Sequence, residues 1–417
     1  MSSCEIRVEI IFFHPILSYI IIIVNTYIDF DRENDRTACD ATKYAELRDK
    51  YGRDDLLPMW IADMDFTVPA PVTRALVESM RQPVLGYTTA PASFWESIAS
   101  WLKSRHGWNV SRADIDYVPG VKKGIGLCVN YFTRPGDRIV IQPPVYHSFR
   151  SVVEGNGRVA VENPLILDGG TYRIDFDGLE KAISDSQAKM MILCNPHNPI
   201  GIQWSREDLN RVVEICHRHN VIILSDEIYG DLVFRGTAHI PTASVSEKAA
   251  EITVTLGAPS KSFNIPGIAS AWTVVVNPAL RDGFFKWLHA SEFDTPPIAA
   301  IYATRAAYTE CEAWLDSVVD YIAANAVYAR DYIAKEALEL NVLLPDAGFG
   351  LWIDFNPTGL SHAELNDMLV NDARLAVSDG ASFGKEGSGF IRLNIGVARG
   401  VLTEALERIT AALKSRI

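Results

Sequence analysis

Several stretches of this sequence place reactive side chains where an apolar run stops. Lys261 follows "ITVTLGAPS", Asp226 and Tyr229 follow "VIIL", Asn198 sits in "CNPHNPIG" after "KMMIL", and Tyr146 sits in "PPVYHSF" after "RIVIQ". "PGVKKGIG" follows "DIDYV" and opens a helix, whose first backbone N–H groups suit a phosphate. Arg392 lies much later, in "FIRLNIG". A lysine among small residues at the end of a buried strand is costly as a bare ammonium. It is therefore expected to be paired, neutral or covalently used.

Together these residues fit pyridoxal 5'-phosphate (PLP). That cofactor needs a lysine for a Schiff base, an acid beside its pyridine nitrogen and a phosphate cup, and an aromatic ring can sandwich the pyridine. The α-carboxylate of an amino-acid substrate needs a cation, and arginine can hold it through two bonds.

The elements that must position these groups are legible as a pattern. From Asp114 to Val276, apolar runs alternate with amphipathic helices. In "SREDLNRVVEICHRHN", Ser205 is an N-cap, Glu207 and Asp208 lie in the first turn, and Leu209, Val212, Val213 and Cys216 form one apolar face. Strands apolar on both faces, alternating with helices, predict an α/β fold with a mostly parallel sheet covered on both sides. Ligands in such sheets sit at the carboxyl ends of the strands. Beyond Tyr302 a long helical segment through "AWLDSVVDYIAANAVYARDYIAKEALEL" leads into strand-like "GLWIDF", a helix at "SHAELNDMLVND", strand-like "GFIRLNIG" and a last helix. That is the pattern of a smaller α/β domain. We divide the chain into a hydrophobic extension (1–26), a segment joining the small domain (27–74), a large cofactor-binding domain (75–305) and a small C-terminal domain (306–417).

Composition excludes some classes. The chain has 417 residues, is 48% hydrophobic and carries a formal net charge of −13, which argues against a nucleic-acid binder. Its six cysteines form no C-x-x-C pair, which suits a reducing, cytoplasmic compartment. Cys194 and His197, followed by Cys216, His217 and His219, have spacings that invite a zinc reading. Cys216 falls on an apolar helix face and Cys194 ends a strand, so we expect core residues and no metal. "GASFGKEGSG" imitates a phosphate-binding loop, but its spacing to Lys385 is one residue short. The run from Ile10 to Ile28 is long enough to be a membrane-span candidate. It can be read as an anchor, as an arm packing on a partner, or as a translated segment upstream of the true start. We favour the last, because globular patterning begins near Asp29; membrane contact is expected only if that run is real and inserted.

With these residues in place, the chain resembles fold-type I PLP enzymes of the aminotransferase class I/II superfamily. More closely, it is similar to the PatB/MalY group of cysteine-S-conjugate β-lyases (cystathionine β-lyases). The similarity runs from "YIDFDRENDR" almost to the C-terminus, through "WIADMDF", "HGW", "IQPPVYHSF", "CNPHNPIG", "SDEIYGDLVF", "APSKSFNIPG" and "FIRLNIG". "WIADMDF" is the most specific of these. The resemblance implies roles. Lys261 would carry PLP as a Schiff base and move the Cα proton. Asp226 would pair with the pyridine N–H, Tyr229 and Asn198 would bond the ring's phenolic oxygen, and Tyr146 would stack on the ring. The N–H groups of Val121 and Lys122, with Ser260, would hold the phosphate. Tyr87, in "LGYTT", would reach the phosphate of a neighbouring subunit, implying a homodimer. Arg392, with Asn198, would bind the substrate.

The resemblance implies β-elimination of a thiol, with aminotransferase chemistry or a regulatory role on the same scaffold as alternatives. The chain also departs from the pattern. Lys122 and Lys123 stand where a more apolar run is expected. Ala269 replaces an arginine that many aminotransferases place there, and the "GFG" at Gly348–Gly350 falls where the substrate pocket is expected.

Overall fold

The computed structural model describes residues 28–236 and 238–416. The apolar Ile10–Ile28 run and the 1–26 extension therefore lie, but for Ile28, outside the described residues. Among the described residues, no helix is long and apolar enough to cross a membrane.

The apolar runs assemble into a seven-stranded sheet. Across it the order is Ile115–Val118, Ala271–Val274, Thr253–Gly257, Ile222–Asp226, Met190–Cys194, Arg138–Ile141 and Val159–Glu162. The central strands Met190–Cys194 and Thr253–Gly257 are buried along their whole length. Their residues therefore read as continuous apolar or small runs without alternation. Neighbouring strands pair in parallel, except that Ala271–Val274 runs antiparallel to both its neighbours. "ASAWTVVVN" gives no sign of that reversal, because a strand buried on both faces looks the same in either direction.

Helices cover the sheet. Arg206–Arg218 starts at Ser205, whose hydroxyl accepts from the Asp208 N–H at 3.1 Å while the Asp208 carboxylate accepts from the Ser205 N–H at 3.2 Å. This reciprocal cap satisfies N–H groups that the helix itself leaves open. Its predicted apolar face, Leu209, Val212, Val213 and Cys216, is buried as expected.

A second sheet of five strands has the order Leu57–Met59, Leu375–Asp379, Phe390–Asn394, Gly350–Asp354 and Asn341–Leu343. Leu57–Met59 comes from far upstream and pairs in parallel with Leu375–Val377. The long helix Glu312–Glu336 ends sooner than the sequence pattern suggested. Ala337 leaves helical geometry, Leu338 turns outward and Leu340 returns to the core just before Asn341–Leu343. The helical pattern through "EALEL" thus records burial of Leu340, reached through a turn.

Candidate active site

The carboxyl edge of the large sheet supplies most of the site. Asp226 is the last residue of its strand. Lys261 lies on the short helix Pro259–Ser262, which opens directly after Thr253–Gly257 and has proline in its first turn, where a missing N–H costs nothing. The Ser262 hydroxyl donates to Asp231 at 2.9 Å, and Asp231 also binds Trp101 Nε1 at 2.9 Å and His106 Nε2 at 2.8 Å. His106 belongs to "HGW". A buried carboxylate thus fastens the helix that carries Lys261.

Lys261 Nζ donates to the carbonyl of Ala62. Burial brings its ammonium down from 10.5 to about 8, although the carboxylates of Asp63 and Asp226 favour the charge. Burial also raises the carboxyl of Asp226 from 3.8 to about 7. Asp226 accepts the Ile228 N–H at 3.2 Å, and among the described residues no basic side chain is ion-paired with it. Burial pushes the Tyr229 phenol well up. The helix Val121–Phe132 begins at Gly120 with no side chain capping it, so its first N–H groups are available to an anion.

Arg392 comes from the small sheet. It is buried, and burial lowers its guanidinium below the usual range. Nη1 donates to Asn198 Oδ1 at 2.8 Å, which joins a large-sheet loop to the small sheet. Nη2 donates to the Trp60 carbonyl and to Ser378 Oγ, both at 3.1 Å. The "GFG" segment makes room for these groups. A Cβ on Gly350 would lie 2.8 Å from Arg392 Cδ, and Gly348, at φ +81°, passes the Tyr229 ring.

Trp60–Phe66, the "WIADMDF" segment, is a strap of carbonyls. Besides Trp60 and Ala62, the carbonyls of Ile61 and Asp63 accept from Asn394 Nδ2 at 2.8 and 2.7 Å. Those of Met64 and Phe66 accept from Asn264 Nδ2 at 3.0 and 2.7 Å. Its acids are neutralised locally. Asp63 meets Arg36 at 2.6 Å, and Asp65 meets Arg36 at 2.7 Å and the fully buried Lys43 at 2.5 Å. Reasoning from sequence missed this strap as a structural part. The available signal was the pair of asparagines, Asn264 and Asn394, just downstream of Lys261 and Arg392.

Lys261, Tyr146, Lys122, Arg392 and the strap line one open cleft of about 1560 Å³. Asn198, Tyr229 and Arg392 line a smaller recess that shares Ala62 with it. Val121 is buried, while the side chains of Lys122 and Lys123 are exposed, Lys122 within the cleft. Ser260 is buried beside Lys261, and Tyr146 is half-buried. Tyr87 is fully exposed and does not line the cleft of its own chain. The Ala269 carbonyl accepts the Tyr117 hydroxyl at 2.7 Å. Of the residues weighed for zinc, His197 Nε2 contacts the Pro144 carbonyl at 2.9 Å, and Cys216 packs against Met191.

Residues 55–409 match the family described as aminotransferase class I and II. The chain belongs to this family. Within the class I and II aminotransferase family it is 39% identical, over 385 residues, to the cystathionine beta-lyase PatB of Bacillus subtilis, covering 92% of this chain and 100% of PatB. It is 30% identical to protein MalY of Escherichia coli, covering 93% of this chain and 99% of MalY. Among solved structures it is similar to PLP-containing cystalysin from Treponema denticola, with a TM-score of 0.89 and 30% identity over 94% of this chain and 100% of that one. The fold-type I architecture and the PatB/MalY resemblance read from the sequence both hold for this member of the family.

Proposed function

We propose that this chain is a PLP-dependent carbon–sulfur β-lyase, acting on cystathionine or another cysteine S-conjugate. The observation that carries it is the convergence of Lys261 and Arg392 on one cleft walled by the "WIADMDF" strap, with the buried Asp226 closing the strand that pairs with the one leading to Lys261. PLP fits the residues present. Asp226 is a buried acid without an ion-paired cation, the start of Val121–Phe132 is uncapped, and Lys261 is a half-buried amine whose ammonium is brought down to about 8.

In this reading Lys261 holds the cofactor, Asp226 pairs with its ring nitrogen, and Tyr229 and Asn198 bond its ring oxygen. Tyr146 covers its face. The N–H groups of Val121 and Lys122, with Ser260, take its phosphate. When bound, PLP supplies an electron sink for the bonds at Cα. Arg392 and Asn198 then hold the substrate carboxylate and fix which Cα bond faces Lys261. A lysine near neutrality can accept the Cα proton and return it. The Cβ–S bond breaks with its electron pair leaving on sulfur, and the sulfur takes a proton. In balance, the S-conjugate and one water give the thiol, pyruvate and ammonia.

The homodimer belongs to the same proposal. Val84, Leu85 and Tyr87 are exposed together, an apolar stretch suited to cover by a second copy, where Tyr87 would meet the neighbour's phosphate site. We also propose that residues 27–74 and 306–417 form one unit around the small sheet and 75–305 the other. A cytoplasmic location fits the cysteines, which are unpaired from Cys39 to Cys311.

The test is the purified protein with PLP and L-cystathionine, following pyruvate, ammonia and the cofactor spectrum. Equal release of pyruvate and ammonia, with the starting spectrum restored, is expected. Conversion of the cofactor to pyridoxamine phosphate without ammonia would overturn the lyase in favour of an aminotransferase.

A further inference from the structure

The cleft holds a cation, Lys50, that stands at neither the proposed α-carboxylate site nor the proposed phosphate site. Lys50, on helix Leu47–Tyr51, lays its ammonium 4.2 Å from the centre of the Trp60 ring. The carbonyl of that same Trp60 receives Arg392, whose guanidinium lies 5.0 Å from the centre of the Phe383 ring. His147 meets Phe383 edge-on at 6.2 Å. These groups and Lys122 line one cleft, and among the described residues neither Lys50 nor Lys122 is ion-paired.

The acids of the cleft do not cancel these cations. Asp63 and Asp65 are committed to Arg36 and Lys43. Asp379 accepts the Ala381 N–H at 2.9 Å and lies 3.3 Å from His362. Glu46, exposed on the turn before Lys50, is the carboxylate that faces it, and Asp40, also exposed, lines the same cleft. Partial desolvation of the exposed His147 within the cleft, and then Arg392, Lys50 and Lys122, hold its imidazole down at about 4, so it is neutral near pH 7. The unassigned charge is therefore on lysine. Lys122 sits at the helix start proposed for the phosphate, and Arg392 is taken by the α-carboxylate. Lys50, exposed at the mouth of the cleft, has neither task, and partial desolvation there, with repulsion from Arg392, disfavours its charge. A cation left unpaired beside other cations favours an incoming anion.

We propose that Lys50 is a specificity residue, binding a second carboxylate carried by the leaving thiol. This inference rests on the lyase reading and names its substrate class: cysteine S-conjugates whose thiol is acidic in this sense, cystathionine among them, ahead of those releasing a neutral alkyl thiol.

The experiment compares S-carboxyethyl-L-cysteine with S-propyl-L-cysteine, using the PLP-loaded full chain and pyruvate release. The unaltered chain is expected to favour the carboxyethyl conjugate in kcat/KM by about tenfold, the scale of one charge-assisted hydrogen bond. Lys50→Met should bring the ratio close to parity through KM, with S-propyl turnover unchanged, and Lys50→Arg should keep the preference. A merely structural lysine would lower both substrates together in Lys50→Met, and that result overturns the inference, as does an unchanged ratio. Either leaves the lyase reading standing. With L-cystathionine run alongside, no pyruvate from any of the three in the unaltered chain overturns the lyase reading and the inference with it, and pyruvate from L-cystathionine with none from the carboxyethyl conjugate overturns the inference alone.

Discussion

The carboxyl edge of the seven-stranded sheet contributes side chains to the cleft, whereas Trp60–Phe66 contributes carbonyls. On the first side, Asp226 and Lys261 stand at or just past the ends of neighbouring strands, Lys261 in the cleft lining and Asp226 buried, and one substitution removes one side-chain group. On the second wall, the groups that receive Lys261 and Arg392 belong to backbone. The residue types of the strap matter through how they hold its path. The difference separates the side chains proposed to do the chemistry from the carbonyls proposed to aim it, and substitutions on the two sides should differ in kind as well as in size.

The largest expected effect lies on the side-chain wall. Lys261→Ala should lower turnover on the order of a thousandfold or more, since it removes the group proposed to carry both the cofactor and the proton. It should also remove the visible absorbance of lysine-bound PLP. Pyruvate assay and absorbance spectroscopy check this together, and retention of both signals would break the comparison at its strongest point.

Asp226 gives the next effect, visible without substrate. Its carboxyl stands at about 7 in the folded, cofactor-free chain against 3.8 when free. Between those values the folded chain binds a proton that the unfolded chain releases. Stability of the cofactor-free protein should therefore fall as pH rises from 3.8 to about 7, and level off above. Asp226→Asn should flatten that slope in denaturant titrations, and should weaken PLP retention by about tenfold to a hundredfold through loss of a charge-assisted hydrogen bond. An identical slope in the variant would mean that the buried acid is not the source.

The same division explains what the sequence disclosed. Lys261, Asp226 and Asn198 were legible because their side chains are out of place at the ends of apolar runs, and Arg392 because it is a cation in the middle of one. The carbonyls of Trp60 and Ala62 were not, because every residue carries a carbonyl and the partners lie 332 and 199 positions away. "WIADMDF" could mark a resemblance without disclosing its task. The reversed strand Ala271–Val274 was hidden for a related reason: pairing direction is a property of the backbone, and burial on both faces erases alternation. The role of "GFG" was likewise visible only once Arg392 and Tyr229 were seen beside Gly350 and Gly348.

The smallest expected effect belongs to the strap, and it is the most discriminating. Asn394 Nδ2 bridges the carbonyls of Ile61 and Asp63, and its Oδ1 accepts the Gly396 N–H at 2.8 Å. Asn394→Ala leaves those buried partners without donor or acceptor, at a cost of about 1–3 kcal/mol in stability. No group proposed to touch the cofactor or move a proton is removed. Loosening the strap should therefore shift Arg392 and Ala62 relative to each other, raising KM several-fold with kcat within about twofold. Thermal unfolding and steady-state kinetics on one preparation measure both. A fall in kcat like that of Lys261→Ala would mean that the carbonyl wall takes part in the chemical step. An unchanged KM with lowered stability would mean that the strap is held by Asn264 and the Arg36–Asp63–Asp65–Lys43 cluster, with Asn394 supporting the fold alone.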